Sequence, residues 1–297
     1  MDKLSYHSAS AVPIKLFFNK DWLENGKIKP THLQLNLTNK CNLNCAFCSC
    51  KDRDKNAMLT FDNLVNKMTD FSSLWGQSVT ITGGGEPLLH PDIEAIIDFI
   101  SDLGIKIGLV TNGIKLHDIK NIDKLTWCRI SLSHVNPIKF DWKDIINRNH
   151  VDWAFSYVFT EDYISLQNTV NEAKDLNITH FRVVTDINNP HELPQLANDS
   201  KVIYQHRTNY TQGSRNCWIS LLKPYLDVDG NYYPCCSVQY QGYGACMPKE
   251  MCMGDDLKDI IDNQKKFDGS ACQKCYYRNY NDLMELMIKK VDHLEFI

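Results

Sequence analysis

Residues 32–48 have the sequence HLQLNLTNKCNLNCAFC, in which a short apolar run leads directly into a group of three cysteines. Leu33, Leu35 and Leu37 fall at every second position, which is the side-chain period of a β-strand. The cysteines therefore lie in the loop at the carboxyl end of that strand. Three thiolates within eight residues can surround a compact metal centre, and thiolates favour iron–sulfur clusters or zinc.

Further β-type runs follow, and they alternate with amphipathic helical patterns. These runs are residues 78–82, 105–110, 127–132, 153–159 and 180–184. Two of the intervening helices have clear end signals, since Thr60 is placed to cap one, and Pro91 and Gly104 flank the next. Repeated strand–helix units imply parallel strands, so the sequence predicts an α/β fold. The pattern fits an open doubly wound sheet or a partial barrel, and in both cases ligands bind beyond the carboxyl ends of the strands.

The strand–helix pattern ends near Tyr204. Residues 225–233 predict a β-hairpin with Gly230 at its turn, and residues 282–291 predict a final helix. We therefore divide the chain into an N-terminal extension (1–31), a strand–helix domain (32–205) and a small C-terminal domain (206–297).

The composition is that of a globular protein, with 43% hydrophobic and 23% charged residues. The net charge of −4 gives no clear nucleic-acid footprint. No run is long enough to span a membrane, and the start has no signal-peptide pattern, so we expect a cytoplasmic protein. In that reducing compartment, twelve cysteines indicate metal or redox chemistry rather than disulfides. Isolated Cys128 is expected to be a buried core thiol.

The first cysteine group is Cys41, Cys45 and Cys48, spaced x3 and x2, with Phe47 just before the last cysteine. A cubane with three protein ligands leaves one iron open, whereas zinc is the structural alternative. This spacing resembles the signature of the radical S-adenosylmethionine (SAM) superfamily. The resemblance implies a partial (β/α)6 TIM-like barrel in which these cysteines hold a [4Fe–4S] cluster. It also implies that SAM chelates the open iron and yields a 5′-deoxyadenosyl radical. Cys50 does not fit the motif and is expected to be structural.

A second match follows the second predicted strand, at residues 82–87 with the sequence TGGGEP. It resembles the Gly-Gly-Glu motif of the same family, which binds the amino group of SAM, and so assigns that role to Gly84, Gly85 and Glu86. A plain strand-to-helix turn is the alternative explanation for the glycines.

Weaker candidates for SAM contacts lie on the same rim. They are Phe47, Asn112 in a Thr-Asn-Gly turn, Ser131 with Ser133 at the end of the fourth strand, and Arg182 in the sixth strand. The alternatives are a capping turn for Asn112, a buried hydroxyl for the serines and a solvated side chain for Arg182.

The second cysteine group has the pattern Cys-x12-Gly-x4-Cys, followed by a distant Cys-x2-Cys. It resembles the auxiliary-cluster region of the SPASM/twitch family. The longer SPASM pattern has a further cysteine where this chain has Asn281, so the shorter twitch version with one auxiliary cluster fits better. The resemblance assigns as ligands of a second [4Fe–4S] cluster Cys217, Cys235, Cys272 and Cys275. A structural zinc site is the alternative to the second cluster. Cys236 is the alternative to its neighbour Cys235 as a ligand. Cys246 and Cys252 have no assigned partner.

The sequence thus predicts an enzyme that cleaves SAM reductively and takes hydrogen from a substrate carbon. The substrate is a small molecule, a nucleotide or a peptide side chain, and the second cluster transfers electrons or positions the substrate. An electron donor such as flavodoxin or ferredoxin is the expected partner. The alternatives are a non-catalytic electron-transfer or metal-binding protein, and a radical SAM enzyme with zinc in place of the second cluster.

Overall fold

One large sheet organises the protein. The computed structural model describes residues 12–132, 142–148, 150–196, 201–206, 211–240 and 247–289. Within these ranges the strands have the order β7-β6-β5-β4-β3-β2-β1-β8-β9. They are β1 (His32–Leu35), β2 (Ser78–Ile81), β3 (Lys106–Thr111), β4 (Trp127–Leu132), β5 (Asp152–Phe159), β6 (His180–Thr185), β7 (Val202–Gln205), β8 (Tyr225–Leu226) and β9 (Tyr232–Tyr233).

Every neighbouring pair of strands is parallel except β8 and β9, which form the predicted hairpin. The sheet remains open, with β7 and β9 at its edges. This arrangement confirms the predicted α/β class and, of the two alternatives, the partial barrel.

The helices cover the outside of the sheet or lie at the two ends of the chain. They are α1 (Val12–Phe18), α2 (Lys20–Glu24), α3 (Phe61–Ser73), α4 (Ile93–Asp102), α5 (Lys143–Arg148), α6 (Tyr163–Ala173), α7 (Ile219–Leu222), α8 (Leu257–Asp262) and α9 (Arg278–Lys289). Thr60 caps α3 as predicted, because its side chain accepts a hydrogen bond from the Asn63 amide. Gly104 follows α4 with φ +72°, a conformation that favours glycine.

The alternation of side chains along β1 separates the core from the interior of the barrel. Leu33 and Leu35 are buried in the hydrophobic core, whereas His32 and Gln34 face a cavity on the other side. From α4, Ile96, Ile97 and Ile100 enter the same core. The apolar face of each strand thus fixes the sheet against its helices and leaves the polar face for ligands.

Three features of the fold differ from the sequence expectations or go beyond them. β7 has no helical pattern before it and was not predicted. β8 pairs in parallel with β1, so the C-terminal hairpin extends the main sheet. α9 begins at Arg278, one turn before the predicted start, and the Arg278–Asp282 ion pair supports that extra turn.

The two ends of the described chain lie together, because α1 and α2 both pack against α9. Within the described ranges, no helix is long and apolar enough to cross a membrane.

Candidate active site

A cavity of about 620 Å³ lies inside the partial barrel. Of the residues predicted to bind the cluster or SAM, its lining includes Cys41, Cys45, Phe47, Gly85, Glu86, Asn112, Ser131 and Arg182. These residues come from the ends of different strands and the loops that follow them, as the partial barrel requires. Cys48 and Gly84 lie beside the cavity, next to lining residues Ser49 and Gly85. Ser133 lies outside the described residues.

The cysteine loop after β1 has hydrogen bonds that suit thiolates. The Leu43 amide donates to Cys41 Sγ at 3.5 Å, and the Cys50 amide donates to Cys48 Sγ at 3.4 Å. Hydrogen bonds from Cys50 lower the pKa of Cys48 to about 6. Burial, together with the charges of Cys48 and Cys41, raises the pKa of Cys45 to about 11. The three thiols are therefore close enough to influence one another, and a cation at their centre would relieve that repulsion.

This donor set fits an iron–sulfur cluster with three protein ligands. All three thiols are half-buried, and neighbouring Cys50 is buried, with its thiol 3.2 Å from the Gln239 side-chain oxygen. In the ranges that the structure describes, no three His, Cys, Asp or Glu side chains converge on one point as ligands of a single ion do. A cubane does not require this, because each cysteine binds a different iron.

The glycines after β2 allow two segments of backbone to approach each other. A Cβ atom on Gly85 would lie 2.2 Å from the Lys40 carbonyl oxygen, and one on Gly84 would lie 1.8 Å from Asn39 Oδ1. The Glu86 amide donates to the same Lys40 carbonyl at 2.8 Å. These glycines therefore hold the loop after β2 against the residues that lead into Cys41.

Glu86 is a buried carboxylate, only 2% exposed, that lines the cavity. Its Oε1 accepts hydrogen bonds from Thr111 Oγ1 at 2.6 Å and the Leu88 amide at 3.1 Å. Its Oε2 accepts one from the Asn112 amide at 2.7 Å, so an acceptor position remains on that oxygen. Burial raises the pKa of Glu86, and the hydrogen bonds oppose this shift. Among the described residues no cation forms an ion pair with Glu86, so the site suits the ammonium group of a ligand.

Asn112 connects the third strand to the cysteine loop. Its side-chain Nδ2 donates to Asn42 Oδ1 at 2.7 Å, and its Oδ1 accepts from the Ile114 amide at 3.1 Å. The capping turn that was the alternative explanation for Asn112 is therefore present. The Asn112 side chain also supports the loop between Cys41 and Cys45.

Arg182 is held inside the barrel. Its guanidinium donates to Ser156 Oγ at 2.8 and 3.1 Å and to Gln205 Oε1 at 3.0 Å. The Arg182 side chain is half-buried and faces the cavity. It is therefore not the solvated side chain that was the alternative prediction. Ser131 also faces the cavity, one level along β4 from Arg129.

The second cysteine group is brought together by short backbone pairings. The Cys217 amide donates to Phe267 O, the Gly213 amide to Cys272 O and the Cys275 amide to Thr211 O, at 2.8–3.0 Å. Burial and the charges of Cys275 and Cys272 raise the pKa of Cys217 to about 12.

The neighbouring cysteines Cys235 and Cys236 point to different surroundings. Burial raises the pKa of Cys235, as do the charges of Cys236, Cys217 and Cys275. Cys235 therefore lies with the second cysteine group, whereas Cys236 lines the cavity. Cys246 lies outside the described residues, and Cys252 Sγ accepts a hydrogen bond from the Gly254 amide.

Asn281 occupies the position where a SPASM sequence has a further cysteine. It is 1% exposed, and its Oδ1 accepts from the Ile219 amide at 3.0 Å. Its Nδ2 lies 3.9 Å from Cys217 Sγ and donates to it. The amide thus occupies the place of a ligand and contacts the thiol of the second group.

Some functional candidates were missed by sequence reasoning. Lys15, His32, Arg129 and Lys223 line the cavity toward the amino ends of the strands. The alternation of polar His32 and Gln34 with the leucines of the first strand was an available signal for His32. No local pattern marked Lys15 or Lys223, which lie outside the strand–helix units.

Comparison with known proteins defines the class to which this site belongs. The model of the Radical SAM superfamily matches residues 35–198, more than half of the 297-residue chain. The chain belongs to the radical SAM superfamily. This confirms the predicted enzyme class, with a [4Fe–4S] cluster and SAM as cofactors, over the non-catalytic alternative.

Individual relatives resemble parts of the chain. GTP 3′,8-cyclase of Aquifex aeolicus (strain VF5) is 36% identical over 127 residues, which are 39% of this chain and 39% of that protein. The match thus spans about two fifths of the curated relative. The structure of Streptococcus suis SuiB bound to S-adenosylmethionine has a TM-score of 0.58 at 15% identity, covering 85% of this chain and 69% of that one. The structure of anSMEcpe with bound AdoMet and Cp18Cys peptide has a TM-score of 0.53 at 14% identity, covering 90% and 86%. At these identities the structural likeness concerns the fold.

Proposed function

We propose that Cys41, Cys45 and Cys48 hold the catalytic [4Fe–4S] cluster at the rim of the barrel and that SAM binds beside it. The observation that supports this most strongly is that one cavity is lined by Cys41, Cys45 and most of the residues predicted to bind SAM, with Cys48 next to lining residue Ser49. With both cofactors bound and one electron supplied, this site would cleave SAM to methionine and a 5′-deoxyadenosyl radical, and that radical would take a hydrogen atom from a substrate carbon to give 5′-deoxyadenosine and a substrate radical.

The protein's own residues bind and orient the cofactor in this proposal. Glu86 accepts the SAM ammonium on the free position of Oε2, in a buried site where a charge-assisted hydrogen bond is strong. Asn112 supports the cysteine loop through Asn42, and Gly84 and Gly85 hold Glu86 close to that loop. Phe47, Ser131 and Arg182 contribute further walls of the SAM site.

We propose that the second group, Cys217, Cys235, Cys272 and Cys275, holds an auxiliary [4Fe–4S] cluster. The mutual influence of these thiols on their pKa values and the backbone pairings around them support one shared site. Four thiolates close every iron, so this cluster transfers electrons or positions substrate, and SAM binds only at the first site. In this view residues 206–297 form the auxiliary domain, beside the barrel of residues 32–205.

The proposed electron donor is a flavodoxin or ferredoxin, and the proposed location is the cytoplasm, where cysteine clusters stay reduced. The named relatives suggest two substrate classes, a nucleotide for GTP 3′,8-cyclase and a peptide for anSMEcpe. The chain covers too little of the cyclase to assign its substrate.

Electron paramagnetic resonance tests the first site. The signal of the reduced, anaerobically reconstituted protein should change when SAM is added, because the iron without a cysteine ligand would bind SAM. The Cys272→Ala/Cys275→Ala variant should keep this SAM-dependent change, since it retains the first site. A wild-type signal that SAM leaves unchanged would contradict the assignment.

Metal analysis tests the second site. Two clusters require about eight irons per chain, and the Cys272→Ala/Cys275→Ala variant should retain about half of them. The zinc alternative predicts about four irons and one zinc in the wild type. A finding of zinc would remove the electron-transfer role and leave the first site intact.

A further inference from the structure

The cavity has a second end, away from the cysteine rim, that we call the floor and define by Lys15, His32 and Lys223. All three line the cavity. His32 is the first residue of β1, and Lys223 lies beside it because Thr31 N donates to Leu222 O and Gln34 N donates to Pro224 O. Lys15 reaches the floor from α1.

The floor lies well below the rim. Trp127, Arg129 and Ser131 of β4 line the cavity at successive levels. Trp127 and Ser131 are about 13 Å apart at roughly 3.3 Å per residue. A ligand on the floor therefore leaves room for SAM at the rim, and a cavity of about 620 Å³ falls within the range typical of small-molecule sites.

The floor contains two lysines that form no ion pair with a carboxylate of the described residues. Lys223 is only 4% exposed, and neither its amino group nor that of Lys15 forms an ion pair or hydrogen bond with any described residue. Burial, and then the charge of Lys223, lowers the pKa of Lys15 to about 7. Burial of an ammonium group without a counter-ion is costly, so an anion bound on the floor would favour the protonated form of both lysines.

The carboxylates that line the cavity do not supply that anion. Glu86 lies at the rim with three donors of its own, and Asp152 at the start of β5 is exposed and forms no ion pair with either lysine. His32 is occupied by Ser78 Oγ at 2.8 Å and Thr80 Oγ1 at 3.1 Å, which fixes its ring in the wall.

We propose that the floor binds the anionic group, a carboxylate or a phosphate, of a small-molecule substrate whose reacting carbon then points toward SAM. This inference rests on the proposed function and narrows its substrate class. Lys223 and Lys15 hold the anion as point charges, and the rest of the molecule extends toward the rim past Arg129 and Cys236, which both line the cavity.

Titration calorimetry with inorganic phosphate and, separately, malonate tests the floor in the reconstituted protein. We expect one anion per chain in the wild type. The Lys223→Met variant should bind the anion roughly ten- to a hundredfold more weakly, because the charged hydrogen-bond donor of Lys223 is removed. Lys223→Arg should retain part of the affinity. The Lys106→Met variant is the matched control, because Lys106 is exposed at the start of β3 and lies outside the cavity. The affinity of this variant for the anion should equal that of the wild type.

Thermal unfolding shows whether each variant is folded. The bound anion should raise the melting temperature of the wild type and of Lys106→Met, and not that of Lys223→Met or of Lys15→Met, which changes a different element. Preference for malonate over phosphate would assign a carboxylate, and the reverse a phosphate.

Absence of binding by both anions to the wild type, or equal affinity in Lys223→Met, would overturn the inference. Formation of 5′-deoxyadenosine in the same preparation separates this failure from failure of the proposed function, because anion binding requires no radical chemistry.

Discussion

Replacement of Glu86 by glutamine perturbs the SAM site while it preserves the shape of the side chain. In the wild type, both carboxylate oxygens accept hydrogen bonds, two on Oε1 and one on Oε2. A glutamine that keeps its oxygen at the Oε1 position must turn its NH2 group toward the Asn112 amide. The 2.7 Å bond from that amide is then lost, and the charge that attracts the SAM ammonium is lost with it.

Two magnitudes follow from this geometry. A buried amide left without an acceptor costs about 1–3 kcal/mol, so the free energy of unfolding should fall by that amount. A charge-assisted hydrogen bond contributes about 1.5–3 kcal/mol, so the affinity for SAM should fall roughly ten- to a hundredfold. The iron content of the first site should stay unchanged, because no cysteine is altered.

Equilibrium dialysis of SAM against the reconstituted protein under anaerobic conditions measures the affinity. Glu172→Gln is the matched control, since Glu172 is exposed on α6 and the same charge is removed far from the cavity. A Glu86→Gln variant with its first cluster intact and wild-type SAM affinity would refute the role assigned to this carboxylate.

Three further outcomes concern the residues around this site. Gly85→Ala should destabilise the protein by about 1–3 kcal/mol in urea denaturation, because the new Cβ would lie 2.2 Å from the Lys40 carbonyl oxygen; an unchanged midpoint would contradict that packing. Asp227 Oδ1 lies 3.5 Å from the buried Arg53 guanidinium, so Arg53→Met would leave Asp227 buried without its cation. The free energy of unfolding should fall by about 3–5 kcal/mol in the same assay. A decrease below about 1 kcal/mol would contradict the importance of this ion pair. Burial raises the pKa of Glu86 above 4.5, so the native state binds more protons than the unfolded state just above that pH, and stability attributable to Glu86 should fall as pH rises through this window. Denaturation of wild type and Glu86→Gln across pH 4–7 measures the difference, and parallel pH dependences would contradict the shift.

Much of the fold was predictable because its signals are local. The alternation of Leu33, Leu35 and Leu37, the Thr60 cap and Gly104 each describe one element. Six β-type runs, alternating with helical patterns, predicted six strands of a parallel sheet. β7 is four residues long and has no helix pattern before it, so it lacked any such signal. The parallel pairing of β8 with β1 joins residues nearly two hundred positions apart, and no local period encodes it.

The residues of the site also differ in whether local sequence could predict them. The cysteine spacing and the glycine run before Glu86 are contiguous motifs, so they could be recognised from the sequence. The floor of the cavity depends on Lys15 and Lys223, which are 208 positions apart in the sequence. Lysine is almost never fully buried, so sequence alone favours a solvated side chain at both positions. Only the packing of α1 and of the segment before β8 reveals that they share a cavity.

The formation of 5′-deoxyadenosine from SAM by the reconstituted, reduced protein tests the central claim most directly. The wild type should yield 5′-deoxyadenosine and methionine in equal amounts. Cys128→Ala should do the same, because Cys128 is a core thiol of β4, 0% exposed and outside both cysteine groups. Cys45→Ala should yield neither product, since two thiolates do not hold the first cluster. Wild-type yields from Cys45→Ala, or no cleavage by an iron-loaded wild type, would contradict the assignment of this rim as a radical SAM site.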